Sequence, residues 1–239
     1  MRSNMMLLMA AAIWGLGFVA QRLGMDHMGP FTFNGLRFLL GAASLLPLLW
    51  WLKSRQPRPQ AGSPAGDRRL LLVGGLIAGG VLFSAASLQQ VGLLYTTAAK
   101  AGFITGLYII LVPVIGLALR HKTGANTWIG ALIAMAGLYY LSVTEEFTIG
   151  YGDLLQVIGA LFWAIHLLVL DHYSNRVAPI RLAGVQFVVC GLLSLGTAFV
   201  IETPTLGGAM AGWQALLYAG LVSVGIGYTL QVVGQRGAH

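Results

Sequence analysis

The sequence contains few charged residues and a single cysteine. Charged residues make up 9% of its 239 positions and apolar residues 57%, so a soluble domain would lack the polar side chains that cover a protein surface. Cys190 stands alone, which excludes an intramolecular disulfide. Most of the 14 basic residues lie between apolar runs, and they do not form the clustered basic face of a nucleic-acid-binding protein. The composition therefore favours a protein embedded in a lipid bilayer, with no nucleic-acid partner.

The apolar stretches also lack the side-chain combinations that catalysis requires. They contain no carboxylate pair, no metal-ligand spacing, no nucleophile with a neighbouring base and no phosphate-binding loop. The sequence therefore predicts that the protein is not an enzyme and uses no cofactor and no metal. A membrane-embedded enzyme is the alternative from another functional class.

Long apolar runs are what the sequence does contain. A helix needs roughly 20 mainly apolar residues to cross about 30 Å of hydrocarbon, and eight stretches approach that length. Pro47 and Pro113 lie inside two of them and are expected to bend their helices. The predicted fold is all-α, a polytopic membrane bundle with eight spans at 5–22, 31–52, 70–90, 97–119, 126–143, 153–170, 182–201 and 213–234.

The distribution of basic residues predicts how these spans are oriented. Lys and Arg accumulate in the short loops that stay on the cytoplasmic side of a membrane. With the N-terminus inside, the inner segments hold eleven basic residues and the outer segments hold only Arg22. The sequence therefore predicts a cytoplasmic N-terminus.

Two parts of the sequence resemble each other. Trp14 lies 16 residues before Pro30, and Trp163 lies 16 residues before Pro179, so positions 149 residues apart correspond. The copies begin at the first and sixth spans, five helices apart. Because five is an odd number, the two copies are predicted to have opposite orientations, which makes them inverted repeats.

The third and eighth spans correspond as well, because Leu-Gln-Gln-Val-Gly at 88–92 is echoed by Leu-Gln-Val-Val-Gly at 230–234. We therefore expect a first repeat of five spans at 1–147 and a second repeat with spans six to eight at 148–239. The first copy continues for about 51 residues after its Leu-Gln motif and the second for five. By this comparison, roughly 46 residues, or two helices, are expected to be missing from a complete second copy.

Several short motifs stand out in a fixed order and are partly duplicated. They are Ala-Ile-Trp-Gly at 12–15, Gly-Pro at 29–30, Asn-Gly-Leu-Arg-Phe at 34–38, Thr-Thr-Ala-Ala-Lys-Ala at 96–101 and Gly-Ala-Leu-Phe-Trp-Ala at 159–164. In these motifs the sequence resembles the drug/metabolite transporter superfamily, in its EamA-type branch of ten-helix carriers, over nearly the whole chain. The resemblance implies a multi-pass protein of the inner membrane.

The same resemblance implies a function and partners. It implies a secondary transporter of small metabolites, such as amino acids, drugs or related compounds, that works by alternating access through a cavity between the repeats. The expected partners are a small-molecule substrate and the lipid bilayer, and a homodimer is left open. A non-transporting membrane scaffold or sensor is the remaining alternative, because the second repeat is expected to be incomplete.

Seven side chains are predicted to line the substrate pathway, and for each a structural role is the alternative. Ionisable groups inside a bilayer cost roughly 2.5 to 3.5 kcal/mol at a helix centre, so a retained one is a functional candidate. The indole and amide side chains could form cavity walls or could simply hold helices together. The seven are Trp14, Arg37, Gln89, Lys100, Trp163, His166 and Gln186.

The three ionisable candidates carry specific expectations. Arg37 is expected to present its guanidinium fork to an anion, or else to snorkel to the interface. Lys100 lies in the first turn of a helix, where the helix dipole disfavours a cation, so we expect a polar partner at the outer mouth. His166 titrates near neutral pH and is the candidate for proton coupling, with a packed hydrogen-bonding histidine as the alternative.

Overall fold

The computed structural model of the protein describes residues 2–55, 68–119, 124–142 and 150–236. Every element of secondary structure in those ranges is helical. The helices are α1 (Arg2–Gly24), α2 (Pro30–Ser44), α3 (Leu46–Arg55), α4 (Arg68–Gly92), α5 (Ala98–Thr105), α6 (Tyr108–Ala118), α7 (Ala125–Ser142), α8 (Tyr151–Ser174), α9 (Pro179–Ile201), α10 (Leu206–Ala211), α11 (Trp213–Leu217) and α12 (Tyr228–Arg236), with a π-helical segment at Tyr218–Gly227 between the last two.

Seven of the eight predicted spans coincide with helices that are long and apolar enough to cross a membrane, counted over the described residues. The remaining span, predicted at 126–143, coincides with α7, whose apolar part is the shorter stretch Ala125–Gly137. Large apolar side chains cover the outside of the bundle: Val200 is 83% exposed and Trp50 is 75% exposed. Such a surface suits lipid and not water, so the predicted polytopic helical membrane bundle is confirmed.

Two spans are interrupted, and only one interruption lies at a proline. The second span breaks between α2 and α3, at Leu45, directly before the turn that contains Pro47. The fourth span breaks at Gly106 and Leu107, whereas Pro113 lies inside α6. Hydrogen bonds across three residues tighten the chain at this second break, because the Leu107 amide donates to the Ile104 carbonyl at 3.0 Å.

The core of the bundle is built from helix pairs that approach closely at glycines. Helix α4 packs against α8 and α9, while the final span (α11, the π-helical segment and α12) packs against α1 and α2. A Cβ added at Gly79 of α4 would lie 2.5 Å from the Cβ of Val189, and one at Gly220 would lie 2.7 Å from the Cβ of Leu40. Small residues at the contacts between membrane helices allow this close approach. The resulting van der Waals packing holds the helices together, because lipid removes the hydrophobic driving force between them.

One end of the bundle is fastened by polar contacts, and we call it the Glu202 end. It holds the ends of α1, α4 and α9 and the starts of α2, α5 and α8. The Glu202 carboxylate accepts hydrogen bonds from the backbone amides of Phe31 and Thr32, each at 2.8 Å, and from the Thr32 hydroxyl at 2.6 Å. These amides belong to the first turn of α2, where donors lack intrahelical partners and the helix dipole favours an anion.

Candidate functional site

A cavity of about 120 Å³ lies in the middle of the bundle. Its volume is close to that of an engineered apolar cavity of about 150 Å³ that binds benzene, so it suits a small organic molecule. The lining combines aromatic rings with amide, hydroxyl and basic side chains, which is the usual composition of a small-molecule site. The lining residues are Trp14, Phe18, Gln21, Arg37, Phe38, Gln89, Thr105, Tyr108, Trp163, His166, Leu167, Ser223, Val224, Tyr228 and Gln231.

The structure brings most of the seven predicted side chains to this cavity. Five of them are in the lining: Trp14, Arg37, Gln89, Trp163 and His166. Gln186 lies directly behind the lining, hydrogen-bonded to His166. Lys100 is outside the lining and belongs to a separate cluster at the Glu202 end.

Arg37 is buried and lies among aromatic rings. Its side chain is only 4% exposed, and its guanidinium carbon lies 4.8 Å from the ring centroid of Phe38 and 5.9 Å from that of Phe33. Cation–π contacts of this kind offset part of the cost of burying the charge. The Nε atom is buried without a hydrogen-bond partner, and no carboxylate in the described part of the chain pairs with the guanidinium. The site therefore holds a buried positive charge without a counter-ion from these residues.

His166 is buried beside the cavity and is fixed by Gln186. The imidazole Nε2 lies 2.8 Å from the Gln186 Oε1 atom. Because a carbonyl oxygen only accepts, Nε2 carries the hydrogen and Nδ1 is left as an acceptor. That Nδ1 atom is buried without a hydrogen-bond partner. The ring also meets Trp163 edge to face, with the ring centroids 5.8 Å apart.

A chain of hydrogen bonds connects three helices along one wall of the cavity. The Trp163 indole N–H donates to the Gln89 Oε1 at 2.9 Å, and the Gln89 side-chain amide donates to the Gln21 Oε1 at 2.9 Å. Gln21 in turn donates to the Gly17 carbonyl at 3.0 Å. The contacts join α8 to α4 and α4 to α1, so these polar groups are held in fixed orientations.

Trp14 connects α1 to the π-helical segment beside the cavity. Its indole N–H donates to the Ser223 carbonyl at 3.1 Å, and its ring meets Tyr228 edge to face with centroids 5.2 Å apart. A Cβ at Gly227 would lie 2.7 Å from the indole nitrogen, so glycine is required for this approach. Stretches of π-helix occur frequently at functional sites, and this one supplies cavity-lining residues.

Lys100 and Asp153 form an ion pair at the Glu202 end. The Lys100 Nζ lies 2.6 Å from the Asp153 Oδ2, and the side chains are 32% and 5% exposed. Asp153 also accepts from the Thr96 hydroxyl at 2.8 Å and from the Gly150 amide at 2.9 Å. The pair supplies the polar partner that the helix-dipole argument required for Lys100. It joins α5 to α8.

Sequence reasoning missed several lining residues, although helical spacing could have found some of them. Phe18 and Gln21 follow Trp14 at four and seven positions, which places all three on one face of α1. It also missed Asp153 as the partner of Lys100. The sequence marks Asp153 only as a helix-start residue, because an acidic residue three positions after Gly150 is typical of a capped helix start.

Comparisons with known proteins connect this architecture to transport. The EamA-like transporter family matches residues 1–143 and 150–238. The chain is 33% identical over 202 residues to an uncharacterized transporter of Archaeoglobus fulgidus, which covers 83% of this chain and 58% of that relative. It is 24% identical over 225 residues to the uncharacterized inner membrane transporter YedA of Escherichia coli, covering 89% and 68% of the two chains.

A solved structure supports the fold in the same way. One crystal structure matches with a TM-score of 0.70 and 20% identity, covering 98% of this chain and 79% of the other. The chain spans somewhat less than two thirds of the length of its archaeal relative. The apolar helices and these relatives together confirm the predicted multi-pass location in the inner membrane.

Proposed function

Since the chain belongs to the EamA-like transporter family, we propose that it acts as a secondary transporter of small metabolites, such as amino acids, drugs or related compounds. The observation that carries this proposal is the cavity between the helices, which is lined by aromatic rings and by the buried charge of Arg37. A charge in the middle of a membrane bundle is costly and typically marks a substrate or ion pathway. The transporter names of the relatives agree with this function.

We also propose that the protein is built from two inverted repeats around this cavity. Phe38 and Phe187 are 149 residues apart in the sequence, and their rings lie against each other with centroids 6.0 Å apart. Equivalent residues meet in this way only near an axis that relates two copies. The helix packing supports the same relation, because α4 contacts α8 and α9 as the final span contacts α1 and α2.

Alternating access then requires the two repeats to separate at one end at a time. At the Glu202 end, polar contacts join the repeats at two places: Lys100 and Thr96 contact Asp153, and Glu202 contacts the first turn of α2. With a cytoplasmic N-terminus this end faces outward. We therefore assign these links to a state closed toward the outside, and opening to that side breaks them.

Transport by purified protein in proteoliposomes tests the proposal. The panel of probes comprises radiolabelled amino acids, organic acids and amines, each measured for saturable counterflow against empty liposomes. Flux of at least one probe that is competed by its unlabelled form is the expected result. Absence of saturable flux for every probe contradicts the transporter and favours the scaffold or sensor.

The relatives favour a transporter over a membrane-embedded enzyme, because they carry transporter names. Conversion of a probe in the same proteoliposome experiment would reverse this preference. A homodimer remains a prediction.

A further inference from the structure

We propose that the transported molecule is a compact organic monoanion, in which one carboxylate pairs with Arg37 and an apolar or aromatic body packs against the indole rings of the cavity. This inference rests on the proposed transport function and names the substrate class of the same cavity. It excludes amino-acid zwitterions and amines as preferred ligands. The charge of the lining, the geometry of the two repeats and the shape of the cavity each support it.

The charge of the lining favours an anion. Arg37 contributes a fixed positive charge, and none of the lining residues is Asp or Glu. Its Nε atom is buried without a partner, so part of the desolvation penalty of the guanidinium is left uncompensated by the described residues. A carboxylate restores the missing hydrogen bonds and the missing charge, and the planar guanidinium fork matches its geometry.

The comparison of the two repeats shows that Arg37 lacks the partner side chain that its equivalent has. In the second repeat, Gln186 is hydrogen-bonded to His166. The equivalent positions 149 residues earlier are Arg37 and Gly17. The position equivalent to His166 is therefore a glycine, which has no side chain to pair with Arg37. The neighbouring Ser223 occupies the space beside Gly17, because a Cβ there would lie 3.1 Å from the Ser223 Oγ. Helix α1 thus offers Arg37 no side chain at the position from which His166 contacts Gln186 in the second repeat.

The walls of the cavity favour an apolar body over an ammonium group. Both indole N–H groups already donate within the protein, Trp14 to Ser223 and Trp163 to Gln89, so they present mainly ring surface to the cavity. An indole face can attract an ammonium group, but the charge of Arg37 in the same lining repels it. A volume of about 120 Å³ is close to that of the cavity of about 150 Å³ that holds benzene, so it limits the apolar body to roughly one small ring. A single guanidinium also matches one negative charge better than the two of a phosphate monoester.

Three probes with the same body and different charges test the inference. They are 3-phenylpropanoate, phenylalanine and phenethylamine, which are an anion, a zwitterion and a cation. Binding to the purified protein in nanodiscs is followed by tryptophan fluorescence. We expect 3-phenylpropanoate to bind at least about tenfold more tightly than the other two. Equal or tighter binding of phenylalanine or phenethylamine overturns the inference.

Substitutions at Arg37 identify the group that recognises the carboxylate. Arg37→Gln is expected to weaken 3-phenylpropanoate binding by about thirtyfold or more, because it removes one partner of a buried charge pair. Arg37→Lys keeps the charge without the fork and is expected to lose less. Arg176→Gln is the matched control, because Arg176 is exposed and lies after α8, outside the lining. Thermal unfolding of each variant verifies that it is folded.

Flux measurements separate a failure of the ligand class from a failure of transport. Arg37-dependent binding of 3-phenylpropanoate without flux supports the ligand class and contradicts the proposed transport. Flux of phenylalanine or phenethylamine that is unchanged in Arg37→Gln supports transport and overturns the ligand class. The inferred ligand class is also overturned if Arg37→Gln and Arg176→Gln change the binding of 3-phenylpropanoate equally.

Discussion

Two basic side chains in the spans, Lys100 and Arg37, meet different surroundings. Lys100 has a carboxylate at 2.6 Å and sits at the Glu202 end, where it is one third exposed. Arg37 is almost fully buried, lies against the rings of Phe38 and Phe33, and has no carboxylate partner among the described residues. The first charge is compensated inside the protein, and the second is compensated only in part.

This difference separates two roles for charge in the bundle. A salt bridge between helices contributes to holding one arrangement of the helices, so the Lys100 pair belongs to the closure of the Glu202 end. A buried charge without a counter-ion raises the free energy of the empty protein, and a ligand that supplies the counter-ion gains that free energy on binding. On this account, the protein is stabilised by removal of Arg37 and destabilised by loss of the Lys100 partner.

The largest effect on stability is expected for Asp153→Asn. The substitution leaves Lys100 without its counter-ion and weakens the acceptor for Thr96 and Gly150. We expect a loss of about 2 kcal/mol in the free energy of unfolding, reduced from the value for a fully buried pair because Lys100 is partly exposed. Unfolding by SDS in mixed micelles measures this. Lys100→Met/Asp153→Asn is the control, because the double variant removes both charges and should recover part of the loss.

Arg37→Met is expected to change stability in the opposite direction. Methionine retains much of the apolar stem and removes the uncompensated charge, so the ligand-free protein should gain about 1 kcal/mol in the free energy of unfolding. The same SDS titration measures the gain, and 3-phenylpropanoate should stabilise the unmodified protein but not this variant. A destabilisation equal to that of Asp153→Asn would show that Arg37 is satisfied within the protein and would remove the contrast.

A smaller effect is expected for Trp163→Phe. Phenylalanine keeps a ring against the cavity but loses the hydrogen bond to Gln89, and hydrogen bonds between membrane helices average about 0.6 kcal/mol. We expect a loss of this size in stability and a loss of a few-fold in the affinity for 3-phenylpropanoate. Tryptophan fluorescence is unsuitable here, so equilibrium binding of the radiolabelled probe is the measurement. Unchanged affinity would show that Trp163 does not contribute to recognition of 3-phenylpropanoate.

The sequence predicted the fold and selected several of the side chains that line the cavity, because both depend on short-range patterns. Apolar runs of membrane length are visible directly, and seven of the predicted spans coincide with membrane-length helices among the described residues. The repeated spacing of tryptophan and proline selected Trp14 and Trp163, which both line the cavity. Arg37 was selected because a charged side chain inside a membrane is costly and is therefore a functional candidate.

The features that the sequence did not predict depend on contacts between distant segments. Asp153 becomes a partner of Lys100 only when α5 and α8 are adjacent. Glu202 reaches the first turn of α2 across 171 positions of sequence. The π-helical segment Tyr218–Gly227 has an apolar composition similar to that of an α-helix, so periodicity alone does not distinguish the two. A bend was predicted at Pro113, whereas the span breaks at Gly106 and Leu107, because only the effect of a proline can be predicted locally.

A cross-link across the Glu202 end tests the central claim that one cavity serves both sides of the membrane. Cysteines replace Lys100 and Asp153, and a cleavable bis-methanethiosulfonate reagent joins them, while the native Cys190 is buried. The linked protein is expected to lose counterflow of 3-phenylpropanoate, to keep binding of the same probe, and to recover flux after the linker is reduced. Undiminished flux through the linked protein would contradict alternating access through this cavity.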